Sequence, residues 1–455
     1  MEKKWWILTA VACGTFMATL DSSIVNIALP TLTIKLATTL YQVKWVVIVY
    51  LLTITCMLLP FGRISDQFGR KRIFQMGFWI FTLGSGLCSL STSLGWLVTA
   101  RIFQALGASM LMANGPAIIT ASFPSNERGG ALGTLSMVVS AGLISGPSLG
   151  GFLISSFGWQ SIFLVNIPIG LVGIYLVQYF LKDNFSGLLK SRFDWMGALL
   201  QCALLITFAA LFDPPALSPG APAISRVPLG VLTVVLALSF VKIESRAVTP
   251  LLDFSLLKIK TFAAGNAATF LTFISFSAIT VLMPFFLERV MLFPTHMAGV
   301  FMTSIPVTIL FVAPVSGRMS DRLGSRGLSA AGSLVGAATL FGMAGLIGPG
   351  LNGGTSHPMI VFSLAAMGLA IGLFQSPNNN AIMGSVPLSK LGIASALLAT
   401  IRNLGLVVGT GIATGVFTWR MTVSGGDFIQ SLHVAQMIAG VFSVLALLAC
   451  LGKKF

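Results

Sequence analysis

Gly62-Arg-Ile-Ser-Asp66-Gln-Phe-Gly69 recurs 255 positions later as Gly317-Arg-Met-Ser-Asp321-Arg-Leu-Gly324. Each copy follows a stretch apolar enough to cross a bilayer, which takes about 20 residues as a helix. Weaker echoes keep nearly the same spacing. Pro30 pairs with Pro284 at an offset of 254, and Gly107 and Pro116 pair with Gly368 and Pro377 at 261. Gly142-Leu-Ile-Ser-Gly146 pairs with Gly405-Leu-Val-Val-Gly409 at 263. A repeat at this scale predicts two parallel halves rather than a chain of small modules.

Apolar runs predict helices over 7–30, 42–61, 73–92, 95–121, 130–154 and 160–181 in the first half. The second half carries 262–287, 297–317, 328–348, 357–382, 391–417 and 434–451. Between them, 195–212 and 228–243 form an inserted pair, joined by a Pro-rich segment over 213–228. The expected fold class is therefore an all-α membrane protein with fourteen transmembrane helices. Its divisions are a six-helix half over 1–185, a two-helix segment with linkers over 186–250, and a six-helix half over 251–455. Two parallel halves suit alternating access, in which one rocks against the other about a midplane site. Nothing reads as the carbonyl or charged-ring filter of a channel.

Composition agrees, because the 455 residues are 55% hydrophobic and 9% charged, against about 25% charged in soluble domains. The net charge of +15 raises the question of nucleic acid, and the positions of the basic residues answer it. With the N-terminus inside, 20 of the 27 Lys and Arg fall on cytoplasmic segments, five outside and two within helices. That is the positive-inside bias of a multi-pass protein with both termini cytoplasmic, so no nucleic-acid partner is expected. The Met-Glu-Lys-Lys start leads into an apolar run that continues to Pro30 without a persuasive cleavage site, and is read as a retained first helix.

The five cysteines form no CxxC pair, and His296, His357 and His433 lack HExxH spacing. No phosphate-binding Gly-x4-Gly-Lys-[ST] loop occurs either. Metal, cofactor and enzymatic chemistry are accordingly not expected. Within the apolar stretches three polar sites stand out. Asp21 is the only carboxylate in the middle of a predicted helix, and Arg101 must face a cavity or a partner, since hydrocarbon costs an arginine about 2.5–3.5 kcal/mol. Arg402-Asn403 is the third. Arg402 either attracts an anionic or zwitterionic substrate head or serves as counter-charge to backbone carbonyls. Gly142, Gly146 and Gly150 share one helical face, which permits close helix approach, while Pro147 removes a backbone hydrogen bond and favours a bend.

Over essentially its whole length the chain resembles the major facilitator superfamily, specifically its fourteen-helix drug:proton antiporter branch. Asp21-Ser-Ser-Ile-Val-Asn26-Ile-Ala-Leu-Pro30 is similar to that branch's first-helix motif, and Trp45 with Tyr50 to its Trp-x4-Tyr pattern. Gly133-x8-Gly142-x3-Gly146-Pro147-x2-Gly150-Gly151 matches the antiporter motif, and Phe193-Asp194-Trp-Met-Gly197 is similar to the opening of the inserted pair. Arg101-Ile-Phe-Gln104-Ala-Leu-Gly107-Ala108 resembles the branch's Arg-containing motif, with Ala105 in place of a usual glycine. The repeated Gly-Arg-x-Ser-Asp segment, with Arg63 and Arg70, resembles the superfamily's signature loop.

The resemblance implies gating by Gly62, Arg63, Asp66, Gly69, Arg70, Gly317 and Asp321, with the glycines permitting a tight turn and Asp66 near a helix N-terminus. It assigns conformational gating also to Gly142, Gly146, Pro147, Gly150 and Gly151. Asp21 and Arg101 take the proton-coupling role. Met17, Asp21, Tyr50 and Gln104 in the first half are candidate substrate contacts, as are Asn266, Phe270, Phe374, Gln375, Asn378 and Arg402 in the second. Phe273, Asn379 and Asn380 add polar and aromatic groups on the same helices. The expected function is proton-coupled efflux of small amphipathic molecules across a bacterial inner membrane, with membrane lipid as surroundings. The alternative on the same fold is a lipid or metabolite exporter, since multi-acid cavities suit cationic drugs better. Oligomeric state is not encoded in any motif.

Overall fold

A computed structural model describes residues 3–124, 128–181, 194–211, 226–244, 254–346, 357–387 and 391–452. Every described element is helical. In the first part of the chain these are α1 (Lys3–Lys35), a short α2 (Leu40–Val43), α3 (Trp45–Phe68), α4 (Arg70–Ser89), α5 (Leu94–Ser122), α6 (Arg128–Phe157), α7 (Ser161–Leu164) and α8 (Asn166–Phe180). The inserted segment gives α9 (Trp195–Leu211) and α10 (Arg226–Glu244). The remainder gives α11 (Lys260–Phe285), α12 (Thr295–Met302), α13 (Ser304–Leu323), α14 (Ser325–Leu346), α15 (His357–Gly384), α16 (Leu391–Val423) and α17 (Phe428–Leu451). A π-helical turn, Phe286–Val290, follows α11.

Each of the fourteen predicted segments falls on helix within its described residues, and by length and hydropathy eleven spans qualify as membrane crossings among the described residues. The helices α4, α6 and α9 cover the three predicted segments that fall outside that measure. Helix α4 is long enough, yet it starts with Arg70, Lys71 and Arg72 and carries three glycines, which dilute its apolarity. Apolar side chains cover the outside as well as filling the core. Val227, Val231, Val234, Val235, Leu238 and Val241 of α10 all lie exposed, as suits a surface whose solvent is lipid.

Contacts divide the chain into two units: 1–38, 45–206 and 233–252 in the first, and 39–44, 207–232 and 253–455 in the second. Each unit packs its helices in the same pattern. In the first, α1 packs on α6 and α8, and α5 packs on α3 and α4. In the second, α11 packs on α16 and α17, and α15 packs on α13 and α14. The repeat extends to single hydrogen bonds. Ser23 Oγ of α1 donates to Leu143 O at 3.0 Å, and Ser277 Oγ of α11 donates to Leu406 O at 3.1 Å.

The signature segments correct one expectation. Gly62 to Phe68 continue α3 rather than forming a turn, and Gly317 to Leu323 continue α13. Ser65 Oγ donates to Gly62 O at 2.6 Å and Gly69 N to Ser65 O at 3.0 Å, so the backbone stays satisfied to the end. In the second unit Ser320 Oγ donates to Gly317 O at 2.7 Å and Gly324 N to Ser320 O at 3.0 Å. The chain reverses only at Gly69 and Gly324, whose φ values of 99° and 81° suit glycine. Asp66 sits in the last turn of α3, four residues before α4 begins at Arg70. The side chains of Asp66 and Asp321 lie outside the described residues.

The glycine face of α6 lies directly on α1. A Cβ on Gly146 would stand 2.6 Å from Ser23 Cβ, and one on Gly150 2.7 Å from Ile24 Cγ1. Around Gly62 nothing lies within 4 Å of an added Cβ. Gly146→Leu is therefore expected to cost about 1–3 kcal/mol by overpacking, seen as a lower melting temperature of the purified protein. Gly62→Leu should leave that temperature nearly unchanged. Equal melting shifts for the two would show that the α1–α6 contact does not limit stability.

Candidate functional site

Five helices of the first unit aim polar groups at one point. Asp21 on α1 is fully buried and paired with Arg101 of α5, itself 1% exposed. The Asp21 Oδ2 atom accepts from Arg101 Nη1. Its Oδ1 accepts from Gln104 Nε2 at 2.9 Å and from Asn166 Nδ2 of α8 at 3.0 Å. Three donors leave the carboxylate well satisfied, with its charge spread over two helices besides its own.

Arg101 is equally engaged. Its Nη1 also donates to Gln104 Oε1 at 2.7 Å and its Nε to Val46 O of α3 at 3.2 Å. The guanidinium carbon lies 3.9 Å from the centre of the Tyr50 ring and 5.7 Å from that of Phe163, a cation–π arrangement that stabilises a desolvated arginine. Tyr50 Oη donates to Ala18 O at 3.1 Å, and Gln104 Nε2 to Ser85 Oγ of α4 at 2.8 Å. Removing one partner of a buried pair leaves an uncompensated charge, which costs far more than the pair itself gains. Arg101 keeps Gln104 Oε1, Val46 O and the Tyr50 face as contacts independent of Asp21.

Asp21, Tyr50, Arg101 and Gln104 thus lie together, and Tyr50 and Gln104 support the ion pair rather than face a cavity. Met17, one turn before Asp21, is completely buried. Asn166 and Ser85 were not singled out in the sequence. An asparagine opening an otherwise apolar helix was the available signal, because a buried amide requires a partner.

The second unit holds a cavity of about 160 Å³. It is lined by Thr269 and Phe273 of α11, Phe374, Gln375 and Asn379 of α15, and Leu398, Ala399 and Arg402 of α16. Phe374, Gln375 and Arg402 come together there, whereas three other candidate contacts do not. Asn378 donates to Gly265 O at 3.1 Å and Thr269 Oγ1 at 2.8 Å, tying α15 to α11. Asn266 donates to Phe262 O of its own helix at 2.9 Å, and the Phe270 ring packs 6.3 Å from that of Phe208.

Apolar helices in two repeated units, one enclosing a charged pair and the other a polar cavity, define a multi-pass membrane transporter. The sequence profile of the Major Facilitator Superfamily matches residues 11–410 and 265–453, and the chain belongs to that superfamily. It is 36% identical to the riboflavin transporter RibZ of Clostridioides difficile (strain 630), over 93% of this chain and 90% of that protein. Identity to the uncharacterized transporter YebQ of Escherichia coli (strain K12) is 32%, over 99% of this chain and 95% of that protein. The multidrug resistance protein Stp of Mycobacterium tuberculosis (strain CDC 1551 / Oshkosh) is 28% identical over 90% of this chain and 75% of its own length.

Proposed function

We propose that this transporter couples inward proton movement to export of small amphipathic molecules by alternating access. The observation that carries the proposal is the Asp21–Arg101 pair, a protonatable group sealed from solvent in the conformation described. A proton reaches Asp21 only when the surrounding helices part, and its arrival removes the charge that holds Arg101. Protonation and conformation are thereby linked. Relatives named for multidrug resistance support the export direction. The alternative substrate class, a metabolite, is supported by the relative named a riboflavin transporter.

The same proposal places the chain in the bacterial inner membrane with both termini cytoplasmic and fourteen crossings. The eleven qualifying spans leave three further helices, α4, α6 and the 17-residue α9, to complete that number. Gating falls to the ends of α3 and α13 and to the α1–α6 glycine contact. In inverted vesicles, energised uptake of an amphipathic dye should persist without ATP and stop with a protonophore. Uptake that survives the protonophore and needs ATP would end the proposal.

Topology is tested separately by single cysteines. Lys190→Cys and Arg326→Cys are expected to label from the cytoplasm and Ser218→Cys from outside. Residues 190 and 218 lie outside the described residues. Cytoplasmic labelling at position 218 would remove the inserted pair from the crossing count.

A further inference from the structure

The cavity of the second unit carries more information than its location. Arg402 sits inside α16, and its guanidinium makes no hydrogen bond or ion pair with any described residue. Among the described residues the same holds for the Gln375 and Asn379 side chains on α15. Three unpartnered polar groups on two apolar helices are costly unless water or a ligand satisfies them. None of the chain's twelve carboxylates lies on α11, α15 or α16, so these helices bring a positive charge with no acid to balance it. An arginine only donates, and the two amides can donate as well. Phe273 and Phe374 supply aromatic wall to the same space.

At about 160 Å³ the space is smaller than the roughly 300–1,000 Å³ typical of a whole ligand site. It suits one end of a molecule. We infer that this cavity binds the edge of a planar aromatic substrate that is anionic or rich in hydrogen-bond acceptors, and discriminates against cations; its part in export rests on the transport proposed above. Arg402, Gln375 and Asn379 grip the edge through its oxygens, while the aromatic walls hold the ring.

Two dyes with the same tricyclic ring test this, anionic fluorescein and cationic rhodamine 123, titrated by fluorescence anisotropy onto the full-length protein in nanodiscs. The wild type should bind fluorescein about tenfold or more tighter than rhodamine 123. Arg402→Gln should weaken fluorescein by about tenfold or more, the usual loss of a charged hydrogen bond, without weakening rhodamine 123. Arg402→Lys should recover part of the loss, and Asn379→Leu should show a smaller one. If Arg402→Gln does not fold, the last two variants carry the comparison. Rhodamine 123 binding as tight as fluorescein, or fluorescein affinity untouched by all three substitutions, would overturn the inference. Binding requires no gradient, so charge preference without proton-driven uptake would defeat only the transport proposal. Proton-driven export of both dyes alike would defeat only the cavity's selectivity.

Discussion

Asp21→Asn is expected to abolish accumulation driven by a pH gradient while leaving a folded protein that still binds substrate. Asparagine keeps an oxygen where Gln104 Nε2 and Asn166 Nδ2 donate, so two of the three bonds to the side chain survive. The bond to Arg101 does not, but Arg101 retains Gln104 Oε1, Val46 O and the Tyr50 face. The substitution thus imitates the protonated state permanently. Each proton crossing supplies about 2.3 kcal/mol per 100 mV, and a side chain that cannot cycle transmits none of it. Downhill exchange should persist, because ligands shift conformational equilibria by their own differential affinity. Proteoliposomes with an imposed pH gradient, alongside equilibrium binding, separate the two. Undiminished proton-driven accumulation would make Asp21 a packing residue.

Much of this site was legible because charge is so rare in the chain. A lone carboxylate and one of only two arginines within apolar stretches announce themselves as Asp21 and Arg101, and each implies a partner. Their union was not readable from spacing, since 80 positions separate them in the sequence. Asn166 is 145 positions from Asp21, and although a buried amide requires a partner, its position does not say which. The fold was carried by the long repeat, whose two copies end in the same serine and glycine hydrogen bonds.

The second site was less legible for a geometric reason. Successive residues on a helix point about 100° apart, and α15 is apolar nearly all round, so no polar stripe marks the lining face. Asn378, Asn379 and Asn380 show the consequence. Asn378 binds α11, Asn379 lines the cavity and Asn380 donates to Ser320 Oγ of α13 at 3.1 Å. Three identical side chains in a row have three different tasks. Sequence alone offered all three as polar groups and put Asn378 among the substrate contacts, and only packing singles out Asn379 as the one that lines the cavity.

The Asp21–Arg101 pair also makes a prediction about stability that differs in sign from its prediction about transport. Arg101→Gln removes the cation but leaves the buried carboxylate with only two amide donors, Gln104 and Asn166. Breaking one side of such a pair costs about 3–5 kcal/mol, and lower yield and melting temperature should report it. Adding Asp21→Asn removes the stranded charge as well, and replacing both ions together is often neutral. The double variant Asp21→Asn/Arg101→Gln should therefore melt close to the wild type while remaining unable to accumulate substrate on a pH gradient. A purely structural pair would show the recovery of stability together with recovery of transport. A coupling pair regains the fold alone, because neither replacement can take up and release a proton. Thermal melts of all four proteins in one lipid composition, read beside proteoliposome transport, decide between them. A double variant no more stable than Arg101→Gln would show that the two side chains do not act as one unit.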